Sequence, residues 1–81
     1  MRIKVLFFAH LADLAGSREI EMDTGASGSV ADVVENLSRL NPRISDSIAC
    51  CRIAINAEWA ELNDKLCDGD ELAFVPPVSG G

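Results

Sequence analysis

The sequence predicts an α+β domain in which one mixed sheet packs on one main helix. Alternating apolar residues mark short strands near both ends of the chain, and Val30 to Leu40 keeps the 3.6-residue apolar spacing of a helix. A length of 81 residues leaves room for one core. The apolar content of 48% can fill it, and with three Phe, one Trp and no Tyr that core has to be mainly aliphatic.

Arg2 to Ala9 reads as the first strand, with Ile3, Val5, Phe7 and Ala9 on one face and Arg2 and Lys4 beginning the other. Leu6 and Phe8 break the alternation on that second face. They either bury this end of the strand or form an exposed docking patch. Leu11 to Ala15 suits a helical turn closed by Gly16. Arg18 to Asp23 returns as the second strand of a hairpin, with Ile20 and Met22 opposite Glu19, Glu21 and Asp23. After a loop from Thr24 to Gly28, Ser29 stands as N-cap with Asp32 three residues on, a shortened capping box. The helix it opens is expected to bury Val30, Val33, Val34, Leu37 and Leu40 and to turn Asp32, Glu35, Asn36 and Arg39 outward. Asn41-Pro42 ends it. Ile44 to Ala49 is either a short second helix or irregular.

Cys51 to Asn56 forms the next strand, with Cys51, Ile53 and Ile55 on one side, followed by a turn at Asn56-Ala57-Glu58. Trp59 is expected over an edge of the core. Leu62 and Leu66 flank a polar loop, Asp68-Gly69-Asp70 makes a tight turn, and Glu71 to Val75 is the last strand, with Leu72 and Phe74 inward. If the first and last strands pair, Ala73 and Val75 lie beside Leu6 and Phe8 as an apolar patch. This order of elements matches the β-grasp arrangement, with residues 1–75 as the domain and 76–81 as a flexible tail.

The tail, Pro76-Pro77-Val78-Ser79-Gly80-Gly81, carries the functional signal. Two prolines stiffen its root, and two residues without Cβ can pass a channel too narrow for a side chain. Six residues reach roughly 20 Å at about 3.3 Å each. The diglycine is either a frayed end or an arm delivering its carboxylate into another protein. The net charge of -6 disfavours binding to nucleic acid or anionic lipid, so partners are expected to be basic or apolar. The acidic residues Glu58, Glu61, Asp64, Asp68, Asp70 and Glu71 read as a solvated face. No segment has the length of a membrane span, and the start runs into a strand rather than a signal peptide, which predicts a cytoplasmic protein. Cys50, Cys51 and Cys67 are an odd number without metal-ligand spacing, so they are expected to be buried or half-buried structural thiols in a reducing compartment, with no metal site. His10 is expected at a strand end or on the surface.

Several blocks together resemble the small, sulfur-carrier subunit of molybdopterin synthase: Lys4 to Ala9, Leu14-Ala15-Gly16, Ser29-Val30, Ile55-Asn56, and Asp68 to Phe74 leading to Pro-Pro-Val-Ser-Gly-Gly. The resemblance covers nearly the whole chain. Val75 stands where relatives often have a second aromatic, and Ala12 where many have an arginine. The resemblance implies a ubiquitin-like β-grasp protein with no bound cofactor. A separate ATP-dependent, E1-like adenylating enzyme would activate the Gly81 carboxylate, and a sulfur donor would convert it to a thiocarboxylate. The large subunit of molybdopterin synthase would then receive the tail within a heterotetramer and supply the acid-base groups. On this reading Gly81 bears the sulfur, Gly80 keeps the approach narrow, and Leu6, Phe8, Phe74, Val75, Pro76, Pro77, Val78 and Ser79 meet the partner. The alternatives are a sulfur carrier for thiamine or a tungsten cofactor, a ubiquitin-like modifier forming isopeptide bonds, and an interaction domain with an unmodified tail.

Overall fold

The computed structural model describes residues 1–25 and 28–77. Five strands form one sheet: β1 (Arg2–Phe7), β2 (Glu19–Asp23), β3 (Arg52–Ile55), β4 (Glu58–Ala60) and β5 (Glu71–Val75), in the order β2-β1-β5-β3-β4. β1 runs antiparallel to β2 and parallel to β5, while β3 runs antiparallel to both β5 and β4. The helices are α1 (His10–Ala15), α2 (Val30–Leu40) and α3 (Ser45–Ala49), with a 3-10 turn at Pro42–Ile44. This is the predicted mixed sheet with one main helix.

Alternation decides which side chains meet. Ile3, Val5 and Phe7 of β1 and Leu72 and Phe74 of β5 share one buried cluster with Val30, Val33 and Leu37 of α2. Leu11, Ile44, Ile48 and Leu66 complete it from α1, the 3-10 turn, α3 and the loop before β5. The capping box at the start of α2 is present: the Asp32 N–H donates to Ser29 Oγ at 3.4 Å, and the Ser29 N–H donates to Asp32 Oδ2 at 3.0 Å. At its other end Asn41 Nδ2 donates to the Leu14 carbonyl at 3.2 Å, which ties α1 to the exit of α2.

Several expectations need correction. The first strand ends at Phe7 rather than Ala9, because Ala9 has φ 54° and leaves extended geometry. Leu40 is 76% exposed, since α2 ends on it and the chain turns away at Asn41. The choice left open for Ile44 to Ala49 resolves to a short helix, α3 from Ser45, with Ile44 closing the 3-10 turn before it. Of the six acidic residues read as a solvated face, Glu58, Glu61, Asp64 and Asp68 are exposed and Asp70 and Glu71 half-buried, and three of the six also serve as loop acceptors. Asp68 Oδ1 accepts from the Arg2 N–H at 2.7 Å, Asp70 Oδ2 from the Cys67 N–H at 2.7 Å, and Asp64 Oδ2 from the Glu61 N–H at 2.8 Å. Of the predicted tail, Pro76 and Pro77 are described. Among the described residues no helix is long and apolar enough to cross a membrane.

The β3–β4 turn places Asn56 at φ 51° and Ala57 at φ 69°, the double left-handed geometry of a tight two-residue hairpin. Asn56 is suited to it. Its side chain donates to Asp70 Oδ1 at 2.9 Å and accepts from the Glu71 N–H at 3.0 Å, which locks the hairpin to β5. Ala57 has only the steric cost, about 1–2 kcal/mol for a side chain in the left-handed region. Replacing it by glycine removes that cost and adds about 0.4–1 kcal/mol of unfolded-state entropy, so relief wins. Ala57→Gly is expected to raise the urea midpoint by the equivalent of about 0.5–1 kcal/mol; a lowered midpoint would contradict the assigned turn.

Candidate functional site

The outward face of the sheet is the candidate site. Strand register aligns Glu19, Leu6, Ala73, Ala54 and Trp59 in one row across all five strands. Four of the five are apolar, although nothing in the described chain packs a second layer there. Ala54 and Ala73 form the floor of a shallow hollow of about 250 Å³, which Phe8 and Trp59 also line, with Val75 near the tail and Glu71 towards the far end. Phe8 is 46% and Trp59 59% exposed. Arg52, cross-strand from Val75, sets its guanidinium 3.9 Å from the centre of the Trp59 ring, a cation–π contact that holds the indole on the face.

The sequence-predicted site residues divide into three groups. Leu6, Phe8 and Val75 are brought together on this face, and the choice left open for Phe8 resolves to exposure. Pro76, half-buried, and Pro77, exposed, continue from β5. Phe74 is a correction: it is fully buried, its ring stacked on Phe7 at 6.3 Å between centroids, because alternation assigns it to the inward face. It supports the site from beneath and offers no surface to a partner. Val78, Ser79, Gly80 and Gly81 lie outside the described residues.

Trp59, Ala54 and Arg52 were missed. Trp59 sits on the solvent face of β4 rather than over the core edge. Its signal was available: a two-residue turn at Asn56-Ala57 pairs Ala54 with Trp59, and Ala54 is out of phase with the inward Ile53 and Ile55. A second hollow of about 510 Å³ adjoins Leu6 and Phe8 and is lined by Ala12, Asp13 and Arg18. Arg18, just before β2, is the basic residue of that hollow, where Ala12 contributes no charge.

The cysteines also depart from expectation. Cys50 and Cys67 are exposed and Cys51 half-buried, all three free. Cys51 donates its thiol to the Ser47 carbonyl at 3.2 Å, and burial, with the neighbouring Cys50 as the lesser cause, pushes that thiol up from its ordinary value. His10, exposed, opens α1. No group of three or more His, Cys, Asp or Glu among the described residues is placed to hold a metal ion. The charged pair on the outward face, Lys4 Nζ with Glu19 Oε2 at 3.9 Å, is exposed at its edge, away from the apolar hollow.

Comparison with known proteins gives a consistent result. Residues 5–81 match the ThiS family. The molybdopterin synthase sulfur carrier subunit of Chlamydomonas reinhardtii is 36% identical over 83 residues, covering 100% of both chains. Small archaeal modifier protein 1 of Haloferax volcanii is 34% identical over 82 residues, covering 91% of this chain and 94% of the relative. The crystal structure of SAMP1 from Haloferax volcanii superposes with a TM-score of 0.89 at 31% identity over 100% of both chains.

The two phenylalanines at the site separate cleanly by stability. Phe74→Ala is expected to cost about 3–5 kcal/mol, and Phe8→Ala under about 1 kcal/mol because half its surface is already wet. Denaturant unfolding of the two variants checks this, and equal losses would contradict the assignment of inward and outward faces.

Proposed function

The chain belongs to the ThiS family and has the ubiquitin-like β-grasp fold, and we propose that it is a sulfur carrier of molybdenum cofactor biosynthesis. One observation carries the reading beyond family membership. The apolar hollow of the outward face reaches Val75, the last residue of β5, directly before Pro76 and a segment whose sequence narrows to Ser79-Gly80-Gly81. A docking face continuous with a side-chain-free arm suits a protein that holds on to its partner and inserts a reactive group.

The chemistry belongs to the Gly81 carboxyl group. A carboxylate is a poor acyl donor, so an E1-like enzyme first transfers AMP from ATP to its oxygen and releases pyrophosphate. A sulfur donor then displaces AMP, leaving the thiocarboxylate C(O)S⁻. Its sulfur attacks an electrophilic carbon of the pterin precursor held by the large subunit of molybdopterin synthase, water cleaves the acyl C–S bond of the resulting thioester to return the Gly81 carboxylate and leave the sulfur on the pterin, and a dithiolene consumes two such tails. The chain's own residues supply positioning: Phe8, Val75 and Trp59 dock, Pro76 and Pro77 stiffen the root, and Gly80 keeps the approach narrow. Acid-base groups come from the large subunit, and the carrier acts in the cytoplasm as part of a heterotetramer.

A second reading has a specific observation in its favour, the similarity to small archaeal modifier protein 1. In that reading a lysine amine attacks the activated Gly81 acyl group and an isopeptide bond results. Reconstitution separates the two. With the activating enzyme, ATP, a sulfide donor and the large subunit, Gly81→Ala is expected to lower sulfur transfer more than tenfold with an unchanged melting temperature. Val75→Asp is expected to weaken binding to the large subunit at least tenfold, about 1.4 kcal/mol. Unimpaired transfer by both variants contradicts the carrier mechanism, and lysine-linked products on a denaturing gel transfer the weight to the modifier.

A further inference from the structure

The outward face carries a guanidinium beside Val75, at the end of the hollow that borders the tail root. Arg52 is exposed, sits cross-strand from Val75, and places its Cζ 3.9 Å from the centre of the Trp59 ring. Among the described residues the ion pairs are Met1 with Asp23 and Lys4 with Glu19, and the guanidinium that donates a hydrogen bond is that of Arg39, to Asn36. The N–H groups of Arg52 are therefore open to another molecule. We propose that Arg52 determines specificity at the docking face by receiving a carboxylate, an Asp or Glu side chain, from the large subunit. The proposal rests on the reading that the large subunit docks on this face.

Position makes the guanidinium part of any contact there. Trp59 and Val75 line the hollow, and Arg52 touches the first and pairs with the second, so a surface laid over them also covers Arg52. A guanidinium taken out of water without an acceptor is strongly unfavourable, and an apolar partner surface offers none. Within the chain, the acid that lines the same hollow is out of reach. Glu71 opens β5 and Val75 closes it, which puts the two roughly 13 Å apart at about 3.3 Å rise per residue. Arg18 stands in a different setting, because Asp13 and Glu19 line its hollow with it.

Geometry selects the carboxylate among acceptors. The indole occupies one side of the guanidinium, and the remaining N–H donors form a planar fork that a carboxylate matches with two parallel hydrogen bonds. Lysine would bring the charge without the fork. The sign also runs against the rest of the molecule, since a net charge of -6 draws the chain towards basic surfaces in general. A carboxylate required at this one point rejects basic surfaces that lack it, because those leave two like charges facing one another.

The test titrates the full chain into the purified large subunit by calorimetry. Arg52→Gln is expected to weaken binding about tenfold and Arg52→Glu about a hundredfold, with Arg52→Lys between the parent and Arg52→Gln. Each variant should keep the parent's melting temperature, because Arg52 is exposed. Added salt should weaken the parent more than Arg52→Gln. In a Trp59→Leu background Arg52→Gln should still weaken binding severalfold; loss of its effect there would make Arg52 only a support for the indole and overturn the assignment. Carbodiimide coupling of the Arg52→Lys complex, read by peptide mass spectrometry, should join the peptide carrying that position to an Asp or Glu of the large subunit. Parent-like affinity of Arg52→Glu, or coupling through Lys4 and Lys65 alone, would also overturn it. A parent chain that does not bind the large subunit sinks the docking reading itself, an outcome distinct from binding that is indifferent to Arg52.

Discussion

The parallel pairing of β1 with β5 is the constraint from which the rest of the molecule follows. Parallel neighbours cannot be joined by a tight turn, so the chain between them has to cross the sheet, and the crossover carries α2, the 3-10 turn and α3. Their apolar side chains cover the face that holds Ile3, Val5, Phe7, Leu72 and Phe74. The other face is left uncovered among the described residues. Parallel strands also finish at the same end of the sheet. Phe8, Ala9 and His10 leaving β1 are therefore brought near Val75, Pro76 and Pro77 leaving β5, which gathers docking face and tail root at one end of the domain.

That uncovered face is built to be met by another surface. Ala54 and Ala73 are already nearly covered, while Phe8 and Trp59 beside them keep about half their surface in water. Burying a side chain of that class fully is worth about 1.5–3 kcal/mol, so each leaves on the order of 1 kcal/mol unrealised in the isolated chain. Strain sits beside the same spot. Ala9, with φ 54° and ψ -139°, occupies a region that costs a residue with a side chain about 1–3 kcal/mol, at the point where the backbone turns from β1 into α1 just after Phe8. An unfavourable backbone and exposed aromatics in one place are what a binding site costs a small domain.

Regular periodicity made much of this legible from sequence. The strands at both ends, the capped helix and the tight turns follow from alternation, 3.6-residue spacing and turn chemistry, which are local properties. Leu6, Phe8 and Val75 were legible as a patch once the end strands were paired. What stayed hidden depends on position across the sheet. Phe74 was read as inward from alternation but also set among the partner contacts by the family resemblance, and one step of alternation separates it from the surface. Leu40 was assigned inward by helical spacing and Trp59 by hydrophobicity, and both rules fail for single apolar residues at element ends. Asp64, Asp68 and Asp70 resemble a charged surface, but their value lies in accepting backbone N–H groups from loops that periodicity does not describe.

The central claim is that reactivity resides in the Gly81 carboxyl group and reaches it through enzymatic activation. Peptide mass spectrometry after incubation with ATP, the activating enzyme and a sulfide donor tests it most directly. Replacement of one oxygen by one sulfur, localised to the fragment ending in Gly81 and distinguished from oxidation at Met1 or Met22, is the result the account predicts. An unchanged Gly81 fragment under conditions in which the same enzyme charges an established carrier would contradict it.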